Sequence, residues 1–224
     1  MAHGEPIDEI RYGVGIFSGQ GSNVRRSNSA GHLVSGRVVY TPVGEYQTSE
    51  VLVEPLDTFN LSFGAGAFYT NENSARDWAP QSAGRPLNAD ILSTTADAHI
   101  RWNRISAHIS GFYRDVAPGA VNFENAGPDA DPEALDNFEG LGATGNLGVL
   151  IIPRRLTANF RYSEAQPDLE TDVARQREAL AGVHVFHRGN NSRFLLEGGV
   201  EGEHDGDADW DYDGLLRLGY QLLF

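Results

Sequence analysis

Apolar and polar residues alternate along most of this 224-residue chain. The clearest run sets Phe59, Leu61, Phe63, Ala65, Ala67 and Tyr69 on one face, with Asn60, Ser62, Gly64, Gly66 and Phe68 on the other. The last residues do the same. Tyr212, Gly214, Leu216, Leu218, Tyr220, Leu222 and Phe224 oppose Asp213, Leu215, Arg217, Gly219, Gln221 and Leu223. A period of two is that of a β-strand. The pattern recurs over 10–17, 34–40, 92–102, 105–113, 141–151, 156–162, 179–185 and 194–200. No segment of useful length has the helical period. The expectation is a single all-β domain over 1–224, an antiparallel up-and-down β-barrel of about ten strands. Residues 1–8 stand before it as an N-terminal extension.

The connections sort by length. Tight turns are expected near Asn103, Pro153 and Asn190, and long polar loops at 18–32, 70–90, 116–138, 164–175 and 204–211. Short turns on one rim and long loops on the other are the habit of outer-membrane barrels. The connection over 41–57 breaks the rule, being long where a turn is expected. Period two does not say which face is wet. A soluble barrel or sandwich buries its apolar face, whereas a membrane barrel turns it to lipid. Three features favour the membrane: the nearly unbroken apolar face, the isolated charges in mid-strand on the other face, and the sorted loops. The strands are near the nine to eleven residues that a tilted membrane strand needs. The extension 1–8 and the carboxy terminus would then lie on the periplasmic side.

Composition narrows the classes. With no cysteine there is no disulfide framework and no thiolate metal site. All 17 basic residues are arginine. A net charge of −14 argues against a nucleic-acid binder, which would show a basic face. No apolar run is long enough for a transmembrane helix. A mean hydropathy of −0.36 does not exclude a membrane barrel, whose strands are only half apolar. The opening Met1-Ala2-His3-Gly4-Glu5-Pro6 lacks the character of a secretion signal.

The closing strand with its aromatic carboxy-terminal residue, Phe224, resembles that of Gram-negative outer-membrane barrels, in which it is read by the insertion machinery. The segment Tyr12-Gly13-Val14-Gly15-Ile16-Phe17-Ser18-Gly19-Gln20-Gly21-Ser22-Asn23, followed by Gly36-Arg37-Val38-Val39-Tyr40-Thr41-Pro42-Val43-Gly44, resembles the phosphate-selective porin O and P family. That resemblance implies a sixteen-stranded trimeric porin of the bacterial outer membrane, of which this chain would be the carboxy-terminal part. It implies lipid and lipopolysaccharide as surroundings, small hydrophilic solutes as cargo, and a homo-oligomer. The lysine cluster that gives the family its phosphate affinity has no counterpart here, so phosphate selectivity is not carried over.

The candidate pore-lining residues lie on the polar face: Arg11, Arg37, Asp97, His99, Arg101, His108, Arg114, Arg161, Glu197 and Arg217. Fixed cations in a lumen favour anions. Alternatively each arginine pairs with a carboxylate such as Asp97, Glu178, Glu197, Glu201 or Asp213 and stiffens the wall, and the two roles are compatible. A two-residue turn at Asn103-Arg104 sets His99 opposite His108, with Asp97 beside them. Such a trio has metal-ligand chemistry. Polar lining is the commoner role, so neither a metal nor a cofactor is assigned. Asp205, Asp207, Asp209, Asp211 and Asp213 open like a Ca²⁺ loop, but Trp210 and Leu216 stand where glycine and glutamate are required. A solvated acidic loop is expected instead. No paired acids or Ser/His/Asp spacing marks an enzyme; His32 and His204 are the rim histidines. The expectation is a passive channel for small hydrophilic solutes, anions among them. The alternative is a barrel enzyme, or an adhesion or structural barrel, acting through its outer loops.

Overall fold

The computed structural model describes residues 1–18, 32–46, 52–72, 89–118, 138–167, 169, 175–187, 192–204 and 209–222. Among them the chain is all-β. Eleven strands run β1 (Ala2–Ile7), β2 (Ile10–Ser18), β3 (His32–Val43), β4 (Leu56–Glu72), β5 (Ala89–Asn103), β6 (Ile105–Pro118), β7 (Phe138–Ile152), β8 (Leu156–Gln166), β9 (Arg175–Phe186), β10 (Ser192–His204) and β11 (Asp211–Leu222). They form one sheet in chain order, each antiparallel to the next, with β1 and β11 as its edges.

The strand count exceeds the expected ten by β1, which folds from the residues read as an extension. Its alternation is weak and it carries Pro6, which a strand tolerates at a sheet edge. Its pairing with β2 shifts register between Gly4 and Ile7.

The tight turns hold where they fall on described residues. Asn103 (φ 51°) and Arg154 (φ 62°) adopt left-handed backbone at the β5–β6 and β7–β8 turns. Asparagine tolerates that conformation better than arginine does. The turn expected at Asn190 lies outside the described residues, as do Phe224, Asp205, Asp207 and most of the long-loop residues. The ends joined by tight turns are called the turn rim here, and the opposite ends the loop rim.

The two faces differ as the alternation requires. The apolar face looks outward: Phe63 is 46% exposed, Leu147 45%, Phe160 49% and Leu218 78%. Tyr69, Tyr162 and Tyr212 stand on that face near the loop rim, and Tyr40, Trp102, Phe194 and Tyr220 near the turn rim. Arg177 lies 3.6 Å over the Trp210 ring and 4.9 Å from Tyr212, and a Cβ at Gly202 would strike both rings. The polar face is the sheltered one. Asn60, Ser62, Arg101, Ser106, Thr157 and His184 are buried although the sheet has no second layer among the described residues, so the sheet shelters them by curling on itself.

The β3–β4 connection crosses that curl. After Gly44 (φ 79°), where any Cβ would strike Asn60, the chain reaches Leu52, whose carbonyl accepts the Thr157 hydroxyl on β8 at 3.1 Å. The Arg154 amide donates to the Val53 carbonyl at 2.7 Å, and the Arg154 guanidinium pairs with Glu54. Leu52, Leu150 and Phe186 are buried at this end, with Thr41 and fully buried Thr157. The turn rim therefore carries a small apolar core, and the long connection supplies part of it.

Candidate functional site in the sheltered polar face

Alternation puts every second residue of β4–β10 on the concave side, and register lines these residues up in rows across the strands. One row runs Ser62, His99, His108, Asn146, Arg161 and Leu180. The next row toward the turn rim holds Arg101, Ser106, Gly148, Asn159 and Gly182.

Between these rows lies a chamber of about 190 Å³, lined by His99, Arg101, Ser106, His108, Asn146, Asn159, Arg161, Leu180, His184, Arg193, Leu195 and Glu197 among others. A second chamber of about 480 Å³ lies toward the loop rim and shares His108, Asn146 and Arg161 with the first. It adds Phe112, Thr144, Ser163, Glu178 and Glu201.

The inner chamber is rich in donors. Three guanidinium groups, Arg101, Arg161 and Arg193, face a single carboxylate, Glu197. Glu197 lies 3.5 Å from His184 Nε2. Asn159 Nδ2 and Arg161 Nε are buried donors that meet no acceptor among the described atoms. Arg161 also pairs with Glu178 and Arg193 donates to Gln221, so part of this positive charge is already engaged within the wall. The site is cationic although the whole chain carries a net charge of −14.

The other polar pairs brace the wall. Arg37 on β3 reaches over Gly64 of β4 to hold both Asp97 oxygens on β5, at 2.9 and 2.7 Å. Asp97 in turn touches His99 Nε2 at 3.2 Å. Glu178 on β9 is shared between Arg161 at 3.0 Å and Arg217 of β11. His99 faces His108 in register, and their rings stack with centroids 4.0 Å apart.

The structure thus gathers His99, Arg101, His108, Arg161 and Glu197 around one chamber, with Asp97 and Arg37 just behind His99. Arg217 joins through Glu178. Arg11 pairs with Glu5 at 2.8 Å under the Tyr46 ring, beside a separate cavity that Arg37 also lines. Arg114 is exposed near the loop rim and away from the chamber. Arg193, His184 and Asn159 share the strand parity of the chosen residues and were missed. Parity alone could have found them. Nothing in the alternation signalled Leu52, which arrives from a connection. No family model matches the chain, and neither a curated protein nor a solved structure is significantly similar to it.

Proposed function

We propose that this chain forms a porin-like β-barrel wall of the bacterial outer membrane, passing small hydrophilic solutes by diffusion and favouring anions. The observation that carries the reading is the inversion of the faces: bulky apolar side chains outside, charged ones sheltered within. A soluble monomer rarely shows a contiguous apolar patch beyond about 600 Å², and here exposed apolar residues occur on every strand from β2 to β11. Lipid is the solvent that suits such a surface. From Tyr212 to Tyr220 the strand covers about 26 Å at roughly 3.3 Å per residue. Tilted by about 40°, that projects to roughly 20 Å, close to the apolar band of such barrels. The aromatic residues at both rims suit the two headgroup layers. Lipopolysaccharide, the insertion machinery acting at Phe224 and further copies of the chain are the partners this reading implies. On the resemblance of Tyr12–Asn23 and Gly36–Gly44 to phosphate-selective porins, these strands would form part of a larger barrel.

A second reading has one observation in its favour. The apolar core at the turn rim, with Leu52 across it, suits a non-conducting barrel that acts through its outer loops. Planar-bilayer recording separates the two. Stepwise conductance with a reversal potential on the anion side in a KCl gradient supports the channel. Complete insertion with no conductance, in the native chain and in a Leu52→Gly variant, refutes it.

A further inference from the structure

We propose that Asp97, His99 and His108 form a binding site for a divalent transition-metal ion of the Zn²⁺, Ni²⁺ or Cu²⁺ class. The inference concerns β3–β6 alone and stands whether the barrel conducts or not. His99 and His108 occupy directly opposed positions of one antiparallel pair, so their Cβ atoms project side by side from a rigid ladder. Asp97, two residues before His99, shares the face and touches the His99 imidazole. One donor atom from each residue can be chosen so that all three lie within 4.8 Å of one another. A tetrahedral ion with bonds of about 2.0–2.1 Å sets its ligands roughly 3.3 Å apart. Closing that difference calls for rotation of the stacked imidazoles about their side-chain torsions.

The donor set selects the ion. Two imidazole nitrogens and one carboxylate suit Zn²⁺, Ni²⁺ and Cu²⁺, whereas Ca²⁺ and Mg²⁺ prefer oxygen ligands throughout. Arg37 acts from behind. Its bonds to both Asp97 oxygens fix the carboxylate while leaving lone pairs for the ion, the role of an outer-shell partner. The Arg37 and Arg101 charges oppose a dication, so the site belongs to the weak, exchangeable kind rather than the structural kind. Three protein ligands leave a fourth position open, and the nearby cations favour a small anion there.

The test is calorimetric titration of ZnCl₂ into the folded full chain in detergent micelles, with Co²⁺ absorption as a second probe. One saturable site is expected, with a Co²⁺ spectrum of tetrahedral intensity. H99N and H108N should each weaken Zn²⁺ binding at least tenfold, and D97N by about tenfold. H3N and H204N should leave it unchanged. Absence of saturable binding, or binding of native strength in the H99N/H108N double variant, overturns the site. Should those variants lose their far-ultraviolet β signal, the native chain still decides. Zn²⁺ must protect His99 and His108 from diethylpyrocarbonate, and equal modification with and without the ion overturns the proposal.

Discussion

The Thr157 hydroxyl donates to the Leu52 carbonyl at 3.1 Å, joining a β8 side chain to a connection 105 residues earlier in the chain. Both groups are buried, so the bond is sheltered from water. Thr157→Val removes the donor and leaves a buried carbonyl unsatisfied, which costs about 1–3 kcal/mol. Leu52→Ala truncates a buried side chain and costs about 2–5 kcal/mol. Urea unfolding in micelles measures both losses.

Arg37 reaches Asp97 because the residue between them on β4 is glycine. A Cβ at Gly64 would lie 2.5 Å from Asp97 Oδ2 and also collide with Arg37 Nη2. Gly64→Val is therefore expected to part the ion pair and destabilise the chain by about 1–3 kcal/mol. In an Asp97→Asn background the same substitution should cost less, because the pair is already weakened. A double-mutant cycle from denaturant midpoints reads that coupling.

Leu147 and Asn146 are neighbours in sequence and point to opposite faces of β7. Under the membrane reading, Leu147→Arg should cost about 2–4 kcal/mol in a bilayer, because the guanidinium would sit among acyl chains. Asn146→Arg should cost far less, since that side lines both chambers. Equilibrium unfolding from lipid vesicles gives the two values. Equal costs would contradict the assignment of faces.

Arg161 lines both chambers and carries a buried donor with no acceptor among the described atoms. Under the channel reading, Arg161→Gln should move the reversal potential toward the cation side. Glu178 keeps its contact with Arg217, so the wall should hold. An unchanged potential in a conducting variant would remove Arg161 from the ion path.

The strands were legible because a β-strand with unlike faces writes its own parity into the chain. The alignment of His99 with His108 followed from the two-residue turn at Asn103, since residues summing to 207 face each other all along β5 and β6. Two kinds of feature were not legible. Leu52 lies in a connection, where no period constrains which side of the sheet the chain visits. The choice of ion partners depends on long side chains crossing intervening strands, as Arg37 does over Gly64 and as Arg217 does in reaching Glu178 from β11. Alternation names the face of a residue and leaves its reach undetermined. β1 escaped for a different reason, because Gly4 and Pro6 dilute its pattern and an edge strand needs little of one.

The outward facing of the apolar residues is the central claim, and site-directed spin labelling in lipid bilayers tests it most directly. The chain has no native cysteine to interfere. Nitroxides placed through Leu147→Cys, Phe160→Cys and Leu218→Cys are predicted to collide with dissolved oxygen and to escape polar nickel chelates. Labels placed through Asn146→Cys and Ser163→Cys should do the reverse. Oxygen-poor, chelate-accessible labels at 147, 160 and 218 would contradict the account.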